Sequence, residues 1–312
     1  MFFLLFWGGI AELLGQDSTA LVQYEKHLEL AKKYESFSFH ANCVEEINAA
    51  LEIAKEKRWK EKEFNLIIFL AEVKRKTEDH EEGLSILYKL ENSIDYPQLH
   101  VKKLGRMAAL FNQMPDVTDT IAKRDSVFHY LDSALKIATR MKLVEEQAGL
   151  YNELGYTLGA VNIDSSLFFL KKAAQLFTQL EDTANYVVVQ TNIMRTYTLL
   201  DKYEKVNPII EEVLQLIQLN SWNSNEVKLE FYRTLTYYYS RIGDSLKFNL
   251  WNAEKYRTRT QILKNANASK LNSFRALYET NKYRDKVSQK TKELEKEAER
   301  RKELISYFIV FS

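Results

Sequence analysis

The residues best suited to chemistry in this chain of 312 are few and badly placed for it. The five histidines, His27, His40, His80, His100 and His129, include no pair at the spacing that would set two imidazoles on one metal. Each reads as a surface or half-buried helical residue. Cys43 is the sole cysteine, so there is no intrachain disulfide and no thiol cluster for zinc. No G-x-S-x-G elbow and no glycine-rich phosphate loop occurs. Gly155 and Gly159 in "GYTLG" read instead as helical residues that permit close packing. Acidic pairs such as Glu45-Glu46 and Glu211-Glu212 suit exposed helix faces, where they solvate the surface and do no acid–base work. The expectation is a chain without catalytic, cofactor or metal sites.

One stretch, "YRTLTYYYSR", offers side chains for binding. If Tyr232, Leu235 and Tyr239 pack inward, then Arg233, Tyr237 and Ser240 face the other side of the same helix. The corresponding residues further up the chain are Thr191, Arg195 and Thr198, and before them Asn152 and Tyr156. Together they would line a concave groove whose polar and aromatic groups suit a peptide backbone or an acidic partner. The competing reading is an ordinary wet surface.

Those correspondences rest on a repeat. Ala50, Leu90, Ala134, Ala173, Val213 and Ala253 stand in one column, with steps of 40, 44, 39, 40 and 40 residues. Seven residues earlier lies a mostly small column, Cys43, Gly83, Val127, Ser166, Val206 and Leu246. Between the two runs Ile47, Leu87, Leu131, Leu170, Ile210 and Leu250, apolar throughout. Offsets of three and four put all three columns on one helix face, with small residues where two helices approach closely. A second amphipathic helix precedes each, carrying Leu30-Ala31, Leu70-Ala71, Leu104-Gly105, Leu154-Gly155, Ile193-Met194 and Leu235-Thr236. The unit is therefore two helices, repeated six times, and the whole is a solenoid. Nine Gly and three Pro agree, because strand-rich folds need many more such residues at their turns.

The unit resembles the tetratricopeptide repeat. "YRTLTYYYSRIGD" keeps Tyr232, Leu235, Tyr239 and Gly243 at the family's positions, with Thr236 replacing a Gly, and "YNELGYTL" supplies Tyr151, Leu154 and Gly155. The resemblance covers about residues 18–262. It implies an all-α, right-handed superhelical solenoid of about six helix-turn-helix repeats followed by a long C-terminal helix, serving as a binding scaffold. The third unit departs most: 22 residues separate Gly105 from Val127 where about 12 are usual. The surplus, "NQMPDVTDTIAKRD", reads as a loop inserted between paired helices, either a contact site or a harmless length variation.

Both ends are apolar. Residues 1–16, "MFFLLFWGGIAELLGQ", suit a signal peptide, although no Lys or Arg precedes the apolar run. The array spans 17–265. From about Ser269 the period ends, and 266–303 reads as one charged linker helix, without tertiary contacts over 269–303, its weak seam formed by Leu277, Val287, Leu294, Ala298, Ile305 and Phe308. Residues 304–312 read as the start of a truncated membrane helix, too short to span. Lys255 to Glu303 holds 15 basic and 7 acidic residues, and a solvated helix face explains this better than nucleic acid or anionic lipid does.

This order of segments resembles the extracytoplasmic sensor region of bacterial tetratricopeptide-containing histidine kinases or helix-turn-helix regulators. The resemblance implies the input module of a membrane-anchored signal transduction protein. It would bind a peptide or protein at the periplasmic face of the inner membrane, with a homodimer through the linker helix. No kinase motif is present. The alternative is a cytoplasmic adaptor with no membrane segment.

Overall fold

The computed structural model describes residues 2–90, 93–115, 120–159, 161–219 and 224–273, with Lys290, Lys292 and Lys296 beyond. Side chains are described from Ser18 on, and from Lys123 in the sixth helix. The described residues are helical with no strand. In order they form α1 (Phe2–Ser36), α2 (His40–Glu56), α3 (Lys60–Lys76), α4 (His80–Tyr88), α5 (Pro97–Gln113) and α6 (Thr120–Arg140). Then come α7 (Val144–Leu158), α8 (Ile163–Gln179), α9 (Thr183–Leu199), α10 (Val206–Gln218), α11 (Asn225–Ile242) and α12 (residues 245–273). Odd-numbered helices are the first members (A) of six pairs and even-numbered ones the second (B).

The three predicted columns hold the array together in the first five pairs. Cys43, Ala50, Val127, Ala134, Ser166, Ala173, Val206 and Val213 are fully buried, as are Ile47, Leu87, Leu131 and Leu170 between them. Burial at this depth stabilises each large apolar side chain by about 1.5–3 kcal/mol. Close approach is visible at Gly155, where an added Cβ would lie 2.5 Å from Leu170 Cγ and 3.1 Å from the Leu170 backbone nitrogen. Ser166 Oγ also donates to the Gly155 carbonyl at 2.6 Å.

Tight turns join the helices, and seven of them close the same way. Phe39, Trp59, Asp79, Leu143, Asp182, Lys202 and Asp244 each donate their backbone N–H to the carbonyl five residues earlier. This closure needs one left-handed residue, supplied by Ser38, Arg58, Glu78, Lys142, Glu181, Asp201 and Gly243 in turn. Only the last is glycine. The scarcity of glycine thus reflects turns that tolerate other residues as well as an all-helical chain.

Curvature follows from which helices touch. Successive A helices from α3 to α11 pack on one another, and no comparable packing joins the B helices α2, α4, α6, α8 and α10, so the A helices lie inside the bend. The bend brings the array back to its beginning. Ser38 Oγ donates to Glu226 at the start of α11, and Asn265 Nδ2 of α12 donates to the Phe37 carbonyl at 2.7 Å. Ser269, fully buried, donates its Oγ to Asn42 Oδ1 at 2.7 Å and accepts from the Asn42 backbone N–H at 3.0 Å.

Three expectations change. The sixth B helix is turned on its axis, because Phe248 and Trp251 face the core and Trp251 stacks on Tyr232, centroids 5.6 Å apart. Leu246, Leu250 and Ala253 therefore point outward, unlike their counterparts in the other five pairs. The surplus in the third pair is mostly helix, since α6 begins at Thr120. Finally, helix α12 runs through residue 266 unbroken, and at Ser269 it docks on the first pair where a free rod was expected. Leu277, Val287, Leu294, Ala298, Ile305, Phe308 and residues 304–312 lie outside the described residues. The expected signal segment falls within α1, and among the described residues no helix is long and apolar enough to cross a membrane.

Candidate functional site: the inner helix face

On the inside of the bend, polar side chains of neighbouring A helices join into a ladder. Lys76 of α3 pairs with Glu35 of α1. Glu72 of α3 takes two bonds from Arg75, at 2.7 and 2.8 Å, and pairs with Arg106 of α5, while Arg75 also donates to Gln113 Oε1 at 2.8 Å. Asn112 of α5 donates to Glu153 and, at 2.8 Å, to Thr157, both on α7. Asn192 of α9 donates to Asn152 Oδ1 at 2.9 Å, and the Arg195 guanidinium sits 4.5 Å above the Tyr156 ring while donating to Asn192 at 3.1 Å. The ladder thus runs from the first pair to the fifth.

Four of the eight residues predicted for the groove, Asn152, Tyr156, Arg195 and Tyr237, share one column or touch this ladder. Tyr156 and Arg195 each follow the close-contact residue of their helix (Gly155, Met194), as Tyr237 follows Thr236. The same position gives Glu72 after Ala71 and Arg106 after Gly105. Sequence reading missed these two because a lone charge on a helix looks like a solvating one. Thr191 and Thr198 are corrections. Both are buried, and their hydroxyls donate to the Val187 and Met194 carbonyls one turn back, which lets threonine enter a packed face. Arg233 pairs with Glu230 on its own exposed surface, and Ser240 is exposed nearby; neither bonds to the ladder.

The ladder is crowded yet reachable by water. Glu72, Arg75 and Arg106 keep side-chain exposures of 14, 19 and 33%. Desolvation alone would raise the Glu72 carboxyl, but Arg106 and Arg75 outweigh it and hold its pKa at about 2. For Arg106 desolvation wins over the pull of Glu72, and its pKa falls. Glu153 has the Asn112 amide beside it, and burial raises its pKa. Arg106 Nε is buried without a hydrogen-bond partner among the described residues. Such a row of amides, carboxylates and guanidinium groups can exchange its internal bonds for those of an extended backbone and its side chains.

No family model matches the chain, and neither does any curated protein. Among solved structures, the crystal structure of BtubC (BKLC) from P. vanneervenii matches with a TM-score of 0.44 and 16% identity, over 77% of this chain and 91% of that one. A likeness at that identity is one of helical fold alone. The described residues form an all-helical repeat array.

Other features have structural employment. Cys43 is buried in the first pair, which pushes its thiol up to about 12. His27 bonds Glu46 at 2.6 Å, and His100 bonds Ser93 at 2.9 Å. Among the described residues no group of three potential metal ligands comes together.

Proposed function

We propose that the chain is a tetratricopeptide-like binding module that holds an extended segment of a protein partner against its inner helix face. The observation that supports this reading is the ladder, which presents paired charges and amides on five successive A helices. Arg106 and Arg195 favour a segment carrying carboxylates, since guanidinium groups bind them bidentately. The order of segments in the sequence supports placing this module on the input side of a membrane-anchored signalling protein, with the ligand bound outside the cytoplasm.

One observation favours a second reading, an adaptor without a membrane segment: α12 turns back onto the first pair at Asn265 and Ser269. The test of the inner face is common to both. A phage-displayed library of random peptides is panned on the protein, and the enriched peptides are measured on Arg106→Ala and Arg195→Ala. Affinity is expected to fall about tenfold or more in each variant, as for buried arginine anchors. Enriched peptides that bind both variants like the wild type would sink the inner-face reading.

A further inference from the structure

Helix α12 carries a largely apolar stripe on the side turned away from the array. Leu246 is 83% exposed, Leu250 and Tyr256 55%, Leu263 53% and Leu271 51%. Ala253, Thr260 and Asn267 are exposed between them at seven-residue intervals. At about 100° per residue these eight positions form one band about 38 Å long. Phe248, Trp251, Asn265 and Ser269, which hold the helix to the core and to the first pair, lie on the opposite side. The band is therefore free while the helix is anchored.

Its composition is that of a seam between helices. The short side chains Ala253, Thr260 and Asn267 run along one line, with Leu250 on one side of it and Tyr256 and Leu263 on the other, leaving depressions that side chains of a second helix would fill. Asn249 and Asn267 are the amides in the band, and isolated polar groups in such a seam fix register at some cost in affinity. Three of the band's members, Leu246, Leu250 and Ala253, occupy the columns that in the other five pairs are covered by neighbouring helices. A lipid surface would gain more from a continuous row of large apolar side chains.

Charge decides what kind of helix fits. Arg257 and Lys264 lie within the band on its Leu250 side, and Arg259 and Lys270 flank it beyond Leu263. Glu254 is the one acidic residue of α12, and it is already paired with Arg257. Arg259, Lys264 and Lys270 are exposed with no ion pair among the described residues. A second copy laid on this face would set four cations against four, whereas acidic flanks would meet them with opposite sign.

We propose that the outward face of α12 is a docking site for an acidic amphipathic helix of another protein, which would extend the array by one helix. This site is separate from the inner ladder. A single helix buries less than about 1,200 Å² in total, which fits a transient complex. The probe is a labelled helical peptide with Leu at i, i+3, i+4 and i+7 and Glu on the flanking positions, with a Lys-flanked peptide of the same apolar pattern as control. The full chain is expected to bind the Glu peptide saturably and the Lys peptide about tenfold more weakly or not at all. The double variant Leu250→Glu/Leu263→Glu, with its melting midpoint unchanged, is expected to lose binding about tenfold or more, while Arg106→Ala keeps it. Sedimentation and flotation with phosphatidylglycerol vesicles complete the test. Equal affinity for the two peptides, absence of binding to either, self-association abolished by the double variant, or vesicle flotation without peptide binding would each overturn the proposal.

Discussion

Glu72 and Glu153 stand on the same inner face, and their surroundings push them in opposite directions. For Glu72 the folded pKa of about 2 lies below the ordinary 4.5. Its contribution is complete above the ordinary value and is lost as pH falls from about 4.5 to about 2. That difference corresponds to about 3 kcal/mol. Glu153 has a raised pKa, so its ionised form disfavours the fold above that value and protonation relieves it. Two substitutions of equal size should therefore differ in sign at pH 7. Glu72→Gln strands Arg106 and Arg75 and lowers the thermal midpoint, and it flattens the acid limb of the stability curve. Glu153→Gln keeps an acceptor for Asn112 and raises the midpoint. Melting curves of both variants at pH 7 and pH 4 check this; midpoints moving the same way would show that the two carboxylates share one environment.

The turns and columns carry the predictions that belong to elements. Lys142 adopts φ 57° in the α6–α7 turn, a conformation that costs a side-chain-bearing residue roughly 1 kcal/mol or more. Lys142→Gly is thus expected to stabilise the protein by about 1 kcal/mol, read from denaturant midpoints, despite the extra freedom glycine gives the unfolded chain. In the α7–α8 contact the direction reverses. Gly155→Ala would gain helix propensity but drive a Cβ against Leu170, at its backbone nitrogen as well as its side chain. A net loss of about 1–3 kcal/mol is expected, and an unchanged midpoint would show that the two helices separate freely. Ala173→Arg, which forces a charge into the same seam, should cost several times more than a surface change, on the order of 3–5 kcal/mol. These columns were legible because a packed face must repeat with the unit, and Cys43, Ile47 and Ala50 have counterparts every 40 or so residues. The sixth pair misled because Phe248 and Trp251 offered a larger apolar face, which found Tyr232. The inner ladder was legible at Tyr156 and Arg195, which the repeat sets in one column with Tyr237. Glu72 and Arg106 stayed hidden since periodicity says which side faces the core but not which polar side faces inward. Thr191 and Thr198 were misplaced because a hydroxyl that bonds its own helix hides its polarity.

At the scale of the molecule, the junction of the first and last pairs had no signature in the sequence. It joins residues 227 positions apart through Asn42, Asn265 and Ser269, short polar side chains with no period. Hydrogen exchange at the Asn42 amide, which donates to Ser269 Oγ, reports the junction directly. That amide is expected to be protected in the native protein and to exchange at least about tenfold faster in Asn265→Ala/Ser269→Ala, with small-angle scattering showing a larger radius for the variant. An amide equally protected in both would mean that α2 alone shelters it.

The junction has a geometrical consequence. In an open stack each joint between pairs flexes independently, and the small rotations are dissipated at free ends. Here the two ends are held to each other, so the angles at the joints are no longer independent: a rotation at one must be cancelled at the others or appear as misfit where Ser269 meets Asn42. A partner that shifts two inner helices by a fraction of an ångström would thus be registered on the far side of the molecule, with the sum of the joint angles as the quantity transmitted.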